Sequence, residues 1–209
     1  MKDENDIAKK IEESLRLPIV ALIIQELKSK LSPNLYYHSS EHTLDVFSEA
    51  IRYALMDNLS DREIELLAIA AAYHDAGFLN EADENEGLGA EMAAKAMRLD
   101  NSYSEKEITL VQSMILDTKV QKISGRLKQI PTSELSKYLL DADMSNFGRN
   151  DFFTKGELVF KELGLTSSKN FLAMSLPLIE AHEWYTQPAR SLRQKIKEEN
   201  LNMLRQKIS

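Results

Sequence analysis

The sequence contains no cysteine, so disulfides and thiolate metal sites are excluded, and any metal must be held by His, Asp or Glu. Glycine and proline are scarce, seven and five in 209 residues, which leaves few breaks in long 3.6-residue patterns. Long apolar runs are missing. The longest, Leu17 to Ile24, contains Pro18 and falls far short of the roughly 20 residues that cross a bilayer, so no membrane partner is expected. The first residues, Met1-Lys2-Asp3-Glu4-Asn5-Asp6, carry both signs of charge and lack the apolar stretch of a signal peptide; the expected location is cytoplasmic. Positive charge is also in deficit. A net charge of −7 removes the basic footprint that duplex nucleic acid requires, yet permits a small anionic substrate beside a metal ion. The 43% hydrophobic and 28% charged fractions are those of an ordinary globular chain, and the length suits one domain spanning 1–209.

What is present reads as helix. The patterns predict an all-α helical bundle with a first pair over 5–15 and 18–31, Pro18 sitting at a first helical position. Another helix starts near Ser39 or Ser40 and runs to about Met56. Two capping boxes, Ser60-Asp61-Arg62-Glu63 and Ser104-Glu105-Lys106-Glu107, mark further starts, the second ahead of a helix to about Lys119. Between them, Asn80 to Glu86 reads as an acidic loop and Gly87 to Leu99 as an alanine-rich helix. Helices follow over 132–145, 151–163, 168–183 and 188–208, with Gly164 a natural stop after the second of these. No strand-like alternation is evident.

Four histidines occur in the chain, and three of them cluster with carboxylates in a suggestive order. His38 and His42 lie four apart, so their imidazoles can share one helix face. Leu67, Ala70, Ala71 and His74 fall at helical spacing, which turns His74 toward the core, and Asp75 adjoins it. Adjacent helical residues point about 100° apart, and Gly77 suggests a helix end that lets Asp75 swing toward the same site. Asp143 follows Leu139 and Leu140 on another inward stripe. A buried ionised carboxylate needs a partner, and a metal ion is one of the few that suffices.

In this order His42, His74-Asp75 and Asp143 resemble the H…HD…D signature of the HD-domain metal-dependent phosphohydrolases. Tyr37-His38-Ser39-Ser40-Glu41-His42 is similar to the Tyr-His-x-x-x-His element of cyclic-nucleotide phosphodiesterases and small bacterial HD proteins. Ala142-Asp143-Met144-Ser145-Asn146 resembles the segment with the last metal aspartate, and Asn85-Glu86…Gly89-Ala90 the Asn-Glu-x-Ser-Ala element, with Gly89 in place of serine. The resemblance covers roughly residues 35 to 150. It implies an HD-type bundle with His42, His74, Asp75 and Asp143 as metal ligands, and Asp75 also orienting the attacking water. It further implies that His38 protonates the leaving group, although His38 also reads as a helix-start residue. Members with two tightly held metals draw extra histidines from between the His-Asp pair and the last aspartate. Residues 76–140 contain none, so one firmly held divalent ion is favoured.

Imidazole and carboxylate ligands suit Mn, Co, Ni, Fe, Zn or Mg without choosing among them. Such an ion lowers the pKa of bound water to about 7 and polarises a phosphoryl oxygen. The implied substrate is a phosphomonoester or phosphodiester, a nucleotide or other small phosphorylated metabolite. Lys119 and Thr118 are the first candidates to contact its phosphate, Arg149 a weaker one, and Glu86 a candidate to steady the site; Lys119 and Glu86 also read as ordinary helix-end charges. Asp141 reads as a solvated or structural carboxylate, His182 as a packed histidine or one stabilised at a helix end, and the basic run from Arg190 to Lys207 as mostly a solvated helix face. Two other readings stand beside hydrolysis: a nucleotide-binding regulatory module without turnover, and an iron oxygenase. The oxygenase is weakened by the missing histidines. Oligomeric state is not legible.

Overall fold

The computed structural model describes residues 3–80 and 84–209. In chain order the helices are α1 (Glu4–Leu15), α2 (Pro18–Lys30), α3 (Ser40–Met56), α4 (Asp61–Tyr73), α5 (Asn85–Asp100) and α6 (Glu105–Asp117). A hairpin of β1 (Gln121–Ile123) and β2 (Arg126–Lys128) precedes α7 (Glu134–Asp143), α8 (Phe152–Glu162), α9 (Ser168–Ala181) and α10 (Gln187–Ile208). Short 3-10 turns follow α4 (Ala76–Leu79) and α7 (Ser145–Gly148). The architecture is an all-α bundle, and its buried apolar side chains form one contiguous cluster from Ile7 to Leu204. Among the described residues no helix is long and apolar enough to cross a membrane.

Helix α4 is the axis of the bundle. Ser60 and Glu63 form the expected reciprocal cap at its start, as Ser104 and Glu107 do for α6. From Leu66 to Ala72 every residue is buried, with α2, α3, α5, α6 and α7 packed around it. The inward stripe expected from Leu67, Ala70 and Ala71 is therefore the whole circumference, as for a helix in the middle of a core. Four alanines at 68 and 70–72 leave the neighbours room to approach closely.

Three expectations need correction. The hairpin contradicts a strand-free chain; its strands are three residues each, mostly exposed, and closed by Ser124-Gly125 at positive φ, so no apolar alternation announces them. The Asn80–Glu86 loop is shorter than expected, because Asn85 and Glu86 already belong to α5, and residues 81–83 lie outside the described residues. The basic run on α10 is only partly solvated. Its inner face carries Arg193, Lys197 and Asn200, with Arg193 bonded to Glu49 and the Tyr53 hydroxyl. Asn200 Nδ2 donates to the Phe147 and Arg149 carbonyls, 3.0 and 2.8 Å away, which ties α10 to the turn after α7.

His182 is packed, one of the two placements that the sequence leaves open. Its ring lies edge-on to Phe147 and Trp184, and burial, reinforced by the charge of Lys197, pushes its pKa down to about 3. In the unfolded chain the same group titrates near 6.5. The unfolded state thus takes up the proton first, and stability that is complete above about pH 6.5 is lost as pH falls below it. Between pH 7.5 and 5 the loss from this group is about 2 kcal/mol. His182→Phe removes it, so in urea titrations the variant should gain about 2 kcal/mol on the wild type over that interval.

Candidate metal centre

Two helix ends and one helix start meet at a single buried point. His42 lies in the first turn of α3, His74 directly follows α4, and Asp143 is the last residue of α7. His74 keeps helical angles, but Asp75 leaves the helical path at φ −108°, ψ 10°. This break lets neighbouring side chains converge, with His74 Nε2 3.2 Å from Asp75 Oδ2. Gly77 is not what ends the helix. It sits in the following 3-10 turn, where a Cβ would stand 2.1 Å from the Asn85 carbonyl oxygen. Gly89 has the same role one turn on, since a Cβ there would come within 2.5 Å of the Tyr73 oxygen. A serine at 89 would not fit this packing. The two glycines let the start of α5 lie directly on the end of α4.

One ligand-capable atom each from His42, His74 and Asp75 falls within 4.8 Å of the others, and all three residues are buried. His42 Nε2 is 3.5 Å from Asp75 Oδ2. Asp143 Oδ1 stands 3.3 Å from His42 Nε2 and 3.8 Å from His74 Nε2, so it reaches both imidazoles. Nitrogen and oxygen ligands about 2.1 Å from a common tetrahedral ion stand roughly 3.4 Å apart. His74 Nδ1 donates to the Ala71 carbonyl at 2.8 Å, which leaves Nε2 as its free atom. His74 Nε2 and Asp75 Oδ2 are buried without a hydrogen-bond partner. Two carboxylates and the C-terminal ends of α4 and α7 make the point electronegative. Burial opposes protonation of His74, yet the Asp75 and Asp143 charges outweigh it and raise its pKa to about 9. The site demands a cation, and its residues fit a divalent metal.

The outer atoms of both carboxylates are tied down. Asn85 Nδ2 donates to Asp75 Oδ1 at 3.0 Å while its Oδ1 accepts from the Phe78 amide, turning Asp75 Oδ2 inward. Gln129 Nε2 donates to Asp143 Oδ2 and to the Thr118 carbonyl, both at 2.6 Å. His38 Nδ1 pairs with Glu162 Oε1, and Glu162 Oε2 accepts from the Tyr37 and His38 amides at 2.7 and 3.0 Å. Phe78 stacks on the His38 ring at 4.6 Å. Burial works against protonated His38, but Glu162 and the site's carboxylates prevail and raise its pKa. Asn85 stands in the sequence as the first residue of the Asn-Glu element, with no role given to it there; Gln129 and Glu162 are not singled out and carry no local signal.

The remaining candidates are placed unevenly. Lys119 and Glu86 face each other at 4.0 Å on the cavity wall, with Lys119 half exposed. Thr118 lines the same wall, its hydroxyl donating to the Ile115 carbonyl at 2.7 Å. Arg149 is engaged by Asp151 and Asp45 and does not line the cavity. Of the two readings of Asp141, solvated or structural, the structure shows the second: it accepts from the Tyr185 and Thr186 amides and the Thr186 hydroxyl at 2.9, 2.7 and 2.7 Å. Outer-shell partners of a metal typically contribute 10- to 100-fold in affinity. Asn85→Ala should therefore weaken metal binding by about that factor while leaving the fold intact, as read by competition with a chelating dye.

Asp75, Asp143 and His38 open onto a cavity of about 560 Å³ that extends between α8 and α9. No family model matches the sequence, and no curated protein matches it. Solved structures do. One is a crystal structure of a protein from Lactobacillus plantarum, a Northeast Structural Genomics target, with a TM-score of 0.65 and 14% identity over 92% of this chain and 97% of that one. The likeness is one of fold.

Proposed function

We propose that this chain is a single-domain, metal-dependent phosphohydrolase of the HD type, with His42, His74, Asp75 and Asp143 holding one divalent ion. The observation that carries the reading is the convergence of these groups, in the H…HD…D order, on one buried point where His74 Nε2 and Asp75 Oδ2 make no hydrogen bond. A divalent ion held there supplies Lewis acidity and water of lowered pKa.

The rest is work for the chain's own residues. Asp75, anchored through Oδ1 by Asn85, orients the attacking water with Oδ2. The water gives up one proton to solvent, its oxygen bonds to phosphorus, the bond to the leaving oxygen breaks, and His38 delivers the proton that the leaving oxygen needs. Glu162 fixes the His38 ring through Nδ1, leaving Nε2 as the donating atom. Lys119 contacts the phosphate, with Glu86 restraining it, while Thr118, whose hydroxyl and amide both donate to the Ile115 carbonyl, only lines the wall.

The test is metal analysis of the purified protein followed by a panel of phosphate esters with each of Mn, Co, Ni, Fe, Zn and Mg. Hydrolysis that depends on bound metal supports the proposal. Metal binding without hydrolysis of any ester assigns the fold to a phosphate-binding regulatory module instead. Within an active panel, Glu162→Gln should lower kcat about tenfold or more on alkyl esters, whose leaving oxygen needs a proton. On p-nitrophenyl phosphate, whose leaving group does not, the loss should be much smaller; equal losses on both would remove His38 from the acid role.

A further inference from the structure

The cavity beside the candidate centre has two unlike ends. Next to the carboxylates stand His38, Lys119, Gln129 and Asn146. Away from them the lining is Phe147, Phe153, Val159, Phe171, Leu172 and Ile179. From α8 and α9 the single polar side chain in the wall is Ser175, and its hydroxyl is spent on the Phe171 carbonyl at 2.9 Å.

The apolar end is unfinished as packing. Only Phe152 of α8 and Ile179 of α9 are buried, so most of the inner faces of these helices meet the cavity rather than each other. Gly156 adds to the space. It lies mid-helix, where glycine is less favourable than alanine, and a Cβ there would meet only Phe171 Cε1 at 3.8 Å, an ordinary contact. Packing does not demand a glycine; its effect is to leave room. A volume of about 560 Å³ lies within the range of small-molecule pockets.

We infer that the phosphate ester handled here carries an apolar chain, alkyl or isoprenyl, seated between α8 and α9 with its phosphate at the His/Asp cluster. The inference rests on the phosphohydrolase reading and narrows its substrate. A nucleobase in the same space would stack on the phenylalanines, but its polar edge would find no free donor on α8 or α9 and a single acceptor, the Ser175 hydroxyl oxygen. Each hydrogen bond left unmade there costs roughly tenfold in affinity. An apolar chain loses nothing and completes the burial.

The test is calorimetric titration of the Mn-supplemented wild type with methyl-, butyl-, hexyl- and octylphosphonate, with adenosine 5′-monophosphate alongside. Affinity should rise about fourfold per methylene until the cavity is filled, and octylphosphonate should bind far tighter than the nucleotide. Gly156→Leu, which fills the space, should flatten the series, and Gly156→Ala should keep it. A flat wild-type series, no binding at any chain length, or nucleotide binding as tight as octylphosphonate overturns the inference. A steep series in a protein that hydrolyses no ester leaves the apolar subsite standing and rejects the hydrolase. Ester hydrolysis with a flat series does the reverse.

Discussion

On the proposed phosphohydrolase reading, His74→Ala should fail to hold the metal and should lose at least about 10²–10³-fold of the wild type's phosphate-ester hydrolysis. The imidazole enters the site already oriented, with Nδ1 held by the Ala71 carbonyl and Nε2 buried without a hydrogen bond, facing the Asp75 and Asp143 carboxylates. Alanine removes that ligand and leaves Asp75 and Asp143 facing one histidine rather than two. The local helix should survive, because His74 follows α4 and alanine suits a helix end. Metal content by mass spectrometry, read beside the thermal midpoint, separates loss of the site from loss of the fold. Full hydrolysis in this variant would sink the site assignment.

Asp141→Ala should produce the larger loss of stability. The Asp141 carboxylate is fully buried and receives three hydrogen bonds from Tyr185 and Thr186, the residues that lead into α10. Thr186 also caps that helix, its hydroxyl accepting from the Ala189 amide at 3.3 Å. Removing the acceptor strands two buried amides and a hydroxyl, at a cost of about 3–5 kcal/mol. For a chain of this length each kcal/mol lowers Tm by about 2–4 °C, so a fall of roughly 6–20 °C is expected by calorimetry. Asp141→Asn, which keeps one acceptor oxygen, should fall less. A change within about 1 °C in the alanine variant would mean that Asp141 does not anchor α10.

Particular residues show how far the chain could be read. The capping boxes at Ser60 and Ser104 stand where the sequence puts them, because both partners lie within one turn. Gly164, at φ 62°, stops α8 for an equally local reason. Gly77 illustrates the opposite case. From the sequence it looks like a helix terminator, yet its role is to admit the Asn85 backbone, a contact eight residues away. Glu162 is the extreme: it holds the Tyr37 and His38 amides from 125 and 124 residues along the chain.

The sequence by itself determined the helical class, the helix starts marked by capping boxes, and the types and order of the groups that meet at the buried cluster. These depend on 3.6-residue periodicity and on side chains that bond within a turn, so they are written locally. Only the tertiary structure decided that Asn85 and Gln129 tie back the two carboxylates, that Glu162 aims His38, and that α8 and α9 wall an apolar cavity beside them. Each of those depends on helices distant in sequence being brought side by side, and that is set by how the whole core packs around α4 rather than by any short stretch of chain.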